Sequence, residues 1–172
     1  MDPVAIPPPA SAPSRLRPRF QVRDALFLLL AGLVVALDQF VKWLVRTTID
    51  RGDSVPDDGL LRIVHYTNTG AAFGILQNAG PLLAVTSVIG MAAILIYLFN
   101  PGFAHPLMRF GLALMLAGAV GNLIDRVRTG EVVDFIKVPH WPAFNVADSA
   151  ISIGICCLLW AMLRDEKKQD SA

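Results

Sequence analysis

Between Arg62 and Arg109 the chain carries no Asp, Glu, Lys or Arg. That interval is too long and too apolar for the core of an ordinary soluble domain. In lipid, backbone N–H and C=O groups must be satisfied inside the element itself, so such a stretch is expected to cross a membrane as helix. The rest of the 172-residue chain fits one domain of the same kind: 54% of its residues are hydrophobic, 17% are charged, and the charges gather in a few places. A formal net charge of +1 with no basic face leaves nucleic-acid binding nothing to rest on. Cys156 and Cys157 are adjacent in an apolar helix, which suits small buried hydrophobes better than a disulfide or a metal site.

Apolar runs near the roughly 20 residues needed to span a bilayer occur at about 25–45, 81–99, 107–124 and 146–163. The expected fold is an all-α membrane protein: four transmembrane helices with a small extracytoplasmic β-sheet platform. The Pro-, Ala- and Ser-rich stretch 1–22 cannot bury enough apolar surface to order itself and is expected to be a disordered tail. A four-span domain over 23–166 follows, then a short C-terminal tail at 167–172. Arg15, Arg17, Arg19 and Arg23 before the first run would also suit a cleaved signal peptide. No small-x-small cleavage site follows, however, and the run is long enough to span, so it reads as an uncleaved first helix. Gly111, Gly118 and Gly121 on the third span permit close helix approach in lipid.

Basic residues in the N-terminal tail, the turn near Arg109 and the C-terminal tail put both termini in the cytoplasm. Segments 46–80 and 125–145 then face outward together. Within the first, Leu60 to Thr67 alternates like a strand, Asn68-Thr69-Gly70 makes a turn, and Ala71 to Leu76 suits a piece lying on the bilayer surface. Within the second, Val132, Val133, Asp134, Phe135 and Ile136 read as a short strand.

The chemistry gathers between Val132 and Ser149, where two carboxylates flank a Pro- and aromatic-rich loop. Asp134 is conspicuous, because strands disfavour Asp. Asp148 opens the fourth span, and Asn145 three residues earlier has the spacing of a capping box, so capping alone would explain an acid there. A pair of carboxylates with separated proton affinities is a known way to activate water. Other polar groups lie near the same membrane depth. Asp38 and Lys42 share a helical face, as an interfacial ion pair beside Trp43 or as support for the site. Asn122, Asp125 and Arg126 are expected to project from one side of the third span. Charged groups inside spans are costly and usually mark function. His65, His105 and His140 are scattered and assemble no nucleophile–base set.

Five blocks, DQFVKWL (Asp38 to Leu44), TNTGAAFGIL (Thr67 to Leu76), GAVGNLIDR (Gly118 to Arg126), VVDFI (Val132 to Ile136) and FNVADSAI (Phe144 to Ile151), occur in an order that closely resembles the lipoprotein signal peptidases. These signal peptidase II enzymes are bacterial membrane aspartic proteases. The resemblance implies that Asp134 and Asp148 are catalytic and that Asp38, Lys42, Asn68, Gly70, Asn122, Arg126 and Asn145 shape the site and hold substrate. Asp125, in an equally recognisable block, competes with Asp134. Ala117 stands where the family commonly has Gly. The implied substrate is a prolipoprotein whose lipobox cysteine carries diacylglycerol, cut just before that cysteine in the inner membrane near its outer face. Sensitivity to globomycin is implied as well. Partners beyond that substrate and membrane lipid are not expected: no metal, cofactor or nucleic acid, and a monomer. The helix start favours ionised Asp148 and the apolar strand favours protonated Asp134, so Asp148 reads as the initial base. A proton- or ion-coupled transporter would instead spread polar residues through the depth of the spans. A membrane scaffold would leave the acid pair unexplained, and another intramembrane aspartyl peptidase is the nearest alternative enzyme.

Overall fold

The computed structural model describes residues 22–70, 77, 79–100 and 105–169. The Pro-rich stretch 1–21, the whole of the expected surface piece at 71–76, and residues 78, 101–104 and 170–172 lie outside the described residues. Among the described residues, four helices are long and apolar enough to cross a membrane: α1 (Val22–Thr48), α2 (Gly80–Leu98), α3 (Pro106–Thr129) and α4 (Val146–Gln169). Three strands, β1 (Ser54–Val55), β2 (Arg62–Asn68) and β3 (Val132–Lys137), form one antiparallel sheet in that order.

Helix α3 is the centre of the bundle. Over half of its spanning window (56%) is buried against protein, whereas 6% of α2's is. Its ends are set by local chemistry. His105 precedes Pro106 and accepts a hydrogen bond from Leu107 N through Nδ1 at 3.2 Å. Gly130, at φ 79°, turns the chain out of the helix while its N–H closes on Arg126 O at 3.0 Å. The first residue able to stop α3 therefore comes after Ile124, and Asp125 and Arg126 sit inside the helix.

Helix α1 shows two stripes. Leu26, Leu29, Leu33, Leu37, Phe40 and Leu44 are exposed at three- and four-residue spacing and face lipid, with Trp43 beside Phe40 at 5.9 Å between ring centroids. The opposite stripe buries Asp24, Ala31, Asp38, Lys42 and Val45. Two expectations fail on such facing. Cys156 is exposed and Cys157 half-buried on α4, because the α4 stripe that meets α3 runs through Ala147, Ala150, Gly154 and Ala161. Arg109 is not a basic residue in a turn: it lies in the first turn of α3, 4% exposed, and pairs with Asp24 of α1.

In the sheet, Tyr66 is registered on Asp134 and Asn68 on Val132, while Phe144 bridges back to Ile136. The alternation expected along β2 is broken, with Val64 and His65 both buried. A register shift between Ile63 and Tyr66 inserts an extra residue and re-aims the side chains that follow. His65 Nδ1 then lies 2.7 Å from Ile49 O, tying the sheet to the end of α1.

Candidate active site

The sheet and the neighbouring ends of α3 and α4 enclose an open cavity of about 890 Å³. β2 and its turn contribute Tyr66, Asn68 and Gly70, α3 contributes Asn122 and Arg126, β3 contributes Asp134, and α4 contributes Asp148, Ser149 and Ser152. The loop between β3 and α4 closes one wall with Trp141 and Phe144. His140 turns that loop at φ 60°, a conformation few non-glycine residues adopt.

Helix α4 begins with a reciprocal cap. Asn145 Oδ1 accepts from Asp148 N at 2.8 Å, and Asp148 Oδ2 accepts from Asn145 N at 3.3 Å. The cap expected at Asp148 is therefore present, and the same residue lines the cavity. Its Oδ1 accepts from Asn122 Nδ2 at 2.8 Å, across the gap from α3. Asp134 arrives on β3, where Asn145 Nδ2 donates to its Oδ1 at 2.9 Å and Asn68 Nδ2 approaches its Oδ2 at 3.4 Å. One asparagine thus touches both acids, and the two carboxyls share one pocket.

Burial pushes the Asp134 carboxyl from an ordinary 3.8 up to about 7, and the charge of Asp148 pushes the same way. The amide N–H groups of Asn68 and Asn145 act against that rise without cancelling it. A carboxyl that keeps its proton to near neutral pH beside a second carboxyl in one cavity can divide acid and base roles with it.

Behind the cavity lies a buried charge cluster. Lys42 Nζ is 2.8 Å from Asp38 Oδ2 and 3.0 Å from Asp125 Oδ2, and Arg46 Nη2 is 2.9 Å from Asp125 Oδ1. Two cations meet two anions, so the cluster is balanced. It is also structural: Asp38 Oδ1 accepts from Ala147 N at 2.9 Å in the first turn of α4, and Asp125 Oδ2 accepts from Val133 N at 3.3 Å on β3. Asp125 is committed to these partners and is absent from the cavity wall. Its side chain points towards α1 while Asn122 and Arg126 line the cavity, which corrects the expectation that all three share one side. Neighbouring helical positions differ by about 100° in direction, so Asp125 and Arg126 point to different sides, whereas Asn122, four residues before Arg126, shares its side.

Of the residues singled out in the sequence, Asn68, Gly70, Asn122, Arg126, Asp134 and Asp148 line the cavity. Asp38, Lys42 and Asn145, each 0% exposed, lie behind it. Sequence reasoning missed Gln39, whose Nε2 donates to Gly121 O at 3.1 Å, and Arg46, although Arg46 is one turn from Lys42 on the same face. It also missed Tyr66, Trp141 and Phe144, which only the sheet register and the loop path reveal.

Comparison with known proteins bears on what this arrangement is. The family model described as signal peptidase (SPase) II matches residues 30–164. A lipoprotein signal peptidase of Syntrophus aciditrophicus is 47% identical over 84% of this chain and 96% of its own, and one of Moorella thermoacetica 45% identical over 80% and 92%. Two solved structures, described as a bacterial membrane enzyme obtained by the in meso method at 2.3 and 1.9 Å resolution, superpose with TM-scores of 0.78 and 0.74. They are 35% and 36% identical, covering 87% and 85% of this chain. With a match over most of its length, the chain belongs to the signal peptidase II family.

Proposed function

We propose that Asp134 and Asp148 are the catalytic pair of this membrane-embedded aspartic endopeptidase, and that it cleaves prolipoproteins just before a cysteine already carrying diacylglycerol. Removal of prolipoprotein signal peptides is the activity of the family, and the chain is a multi-pass bacterial membrane hydrolase of that class. The observation that carries the residue assignment is the contact of Asn145 with both acids at the wall of one cavity.

Ionised Asp148 takes a proton from water as the oxygen attacks the scissile carbonyl. Protonated Asp134 donates to that carbonyl oxygen as negative charge builds, and the tetrahedral intermediate collapses with a proton passing to the leaving amine. The raised proton affinity of Asp134 supports this division of roles. Arg126 supports a substrate-holding role: Nη2 donates to Gly70 O at 3.3 Å, while the buried Nε has no hydrogen-bond partner among the described residues. A buried donor of that kind suits a substrate carbonyl. Asn68 and Gly70 line the cavity beside Arg126, with Gly70 N donating to Asn68 Oδ1 at 2.9 Å.

The basic residues outside the spans, in the N-terminal segment and near Arg164, support cytoplasmic termini and a site near the outer face. Single cysteines introduced at Asp58 and at Asp170, in a background with Cys156 and Cys157 replaced by Ala, test this in intact cells. A membrane-impermeant maleimide is expected to label position 58 alone, and the reverse pattern overturns the orientation.

The reaction itself is tested with protein in liposomes, given a diacylglyceryl-modified precursor and its unlipidated twin. Two acyl chains hold the precursor in the bilayer, so a preference for the lipidated form of about 100-fold or more is expected. Equal cleavage of both would refute a lipid-dependent substrate.

A further inference from the structure

We propose that Lys42 is a positioning residue whose ammonium fixes the orientation of the Asn122 amide, so that an N–H and not a carbonyl oxygen faces Asp148. The inference rests on the catalytic reading of Asp148 given above. A lysine ammonium has three protons and no acceptor. Here they meet three oxygens: Asp38 Oδ2 at 2.8 Å, Asp125 Oδ2 at 3.0 Å and Asn122 Oδ1 at 3.0 Å.

The two ends of an asparagine amide have nearly the same shape, so only their partners decide which way the group lies. A cation at one end requires the oxygen there. Nδ2 is then left to donate to Asp148 Oδ1 at 2.8 Å. Asn145 Nδ2, 3.2 Å from the same Asn122 oxygen, favours this orientation too, but it holds it weakly. That nitrogen has two hydrogens and two further acceptors, Asp134 Oδ1 at 2.9 Å and Val133 O at 3.3 Å. Lys42 is therefore the group that forbids reversal.

A reversed Asn122 would set its carbonyl oxygen against Asp148, which repels the ionised acid and accepts from the protonated one. The base would then stay protonated to higher pH, and turnover would fall. The charged groups around Asp148 are Asp134 on β3, Arg126 on α3, and Lys42 and Asp38 on α1; Asn122 and Asn145 are neutral. A direct field of Lys42 on Asp148 is the rival route, and the test must separate the two.

A double-mutant cycle does so, with kcat, KM and the acidic limb of the kcat–pH profile measured on monodisperse protein and lipidated precursor. Lys42→Met is expected to lower kcat by about 10- to 100-fold, leave KM within about twofold, and move the acidic limb to higher pH. Acting through Asn122, it should add nothing to Asn122→Ala: the double variant matches Asn122→Ala in kcat and in the position of the limb. Losses that multiply, or a limb that moves further in the double variant, overturn the proposal in favour of a direct field or a purely structural role. If Lys42→Met alone gives no monodisperse protein, Lys42→Met/Asp125→Asn takes its place in the same cycle, removing opposite charges together. Failure of the unmodified enzyme to cut lipidated precursor would strike the site assignment instead, a distinguishable result.

Discussion

Asparagine in place of either Asp134 or Asp148 is expected to reduce cleavage of lipidated precursor by about 1000-fold or more while the protein still inserts and folds. The two variants should differ in stability. Asp134 is 5% exposed and its carboxyl is pushed up to about 7 by burial and by Asp148. A folded-state pKa above the unfolded 3.8 means that the folded protein holds the proton more tightly. Stability is then fully present below about pH 4 and is lost as pH rises through about 7. A shift of that size corresponds to at most on the order of 4 kcal/mol at alkaline pH. Asp134→Asn cannot ionise, so in detergent it should melt above the unmodified enzyme at pH 8 and lose that advantage towards pH 4. Asp148→Asn has a further liability, because the carboxylate that accepts from Asn145 N in the cap of α4 is replaced by a single amide oxygen. Retained turnover in either variant, or an Asp134→Asn protein less stable than its parent at pH 8, would contradict this account.

How much of this could be read from the chain follows from how many partners each feature needs. The four spans need none, since hydropathy and length are properties of one segment, and the helices fall where the apolar runs do. Their ends needed the caps: α3 runs to Thr129 because Gly130 is the first residue that turns out of it. Asp134 drew attention alone, as an acid in a greasy strand. Choosing it over Asp125 did not follow from local pattern, since both acids are buried and both sit in recognisable blocks. What separates them is facing. Asp125 points to Lys42 and Arg46 on α1, and Asp134 points into the cavity, a difference created by packing between elements far apart in sequence. The pairing of Asp24 with Arg109 was hidden for the same reason, and it changes the charge count used for topology. The break in β2 alternation has no single-residue signature, because it is defined by the register against β3.

The glycines of α3 are where sequence and geometry meet most tightly, and they carry the second large expected effect. Small residues there were expected to admit a neighbour. The neighbour at Gly118 is the first turn of α4, so a Cβ would stand 2.2 Å from Ala147 O and 2.6 Å from Ile151 Cγ1. The obstacle at 2.2 Å is backbone, and it cannot swing aside as a side chain would. That turn is also held from the other side by Asp38 through Ala147 N and by the Asn145 cap. Gly118→Ala must therefore open the α3–α4 contact by about 1 Å before ordinary contact distances return. Asp148 moves with α4, whereas Asp134 stays with the sheet, so the acids separate. A misplacement of that size is expected to lower kcat by about 100-fold, with stability reduced by about 1–3 kcal/mol. Gly111→Ala is the comparison that isolates geometry from stability. Two turns away on α3, its Cβ would meet Gly154 O at 2.7 Å and Cys157 Cβ at 3.1 Å, a backbone clash of the same kind far from either acid. It should melt early like Gly118→Ala, yet keep kcat within about tenfold of the parent when assayed below its melting temperature. Equal losses of kcat in the two variants would mean that the helix contact matters only for folding, and normal kcat in Gly118→Ala would mean that the acid pair tolerates a displacement this geometry forbids.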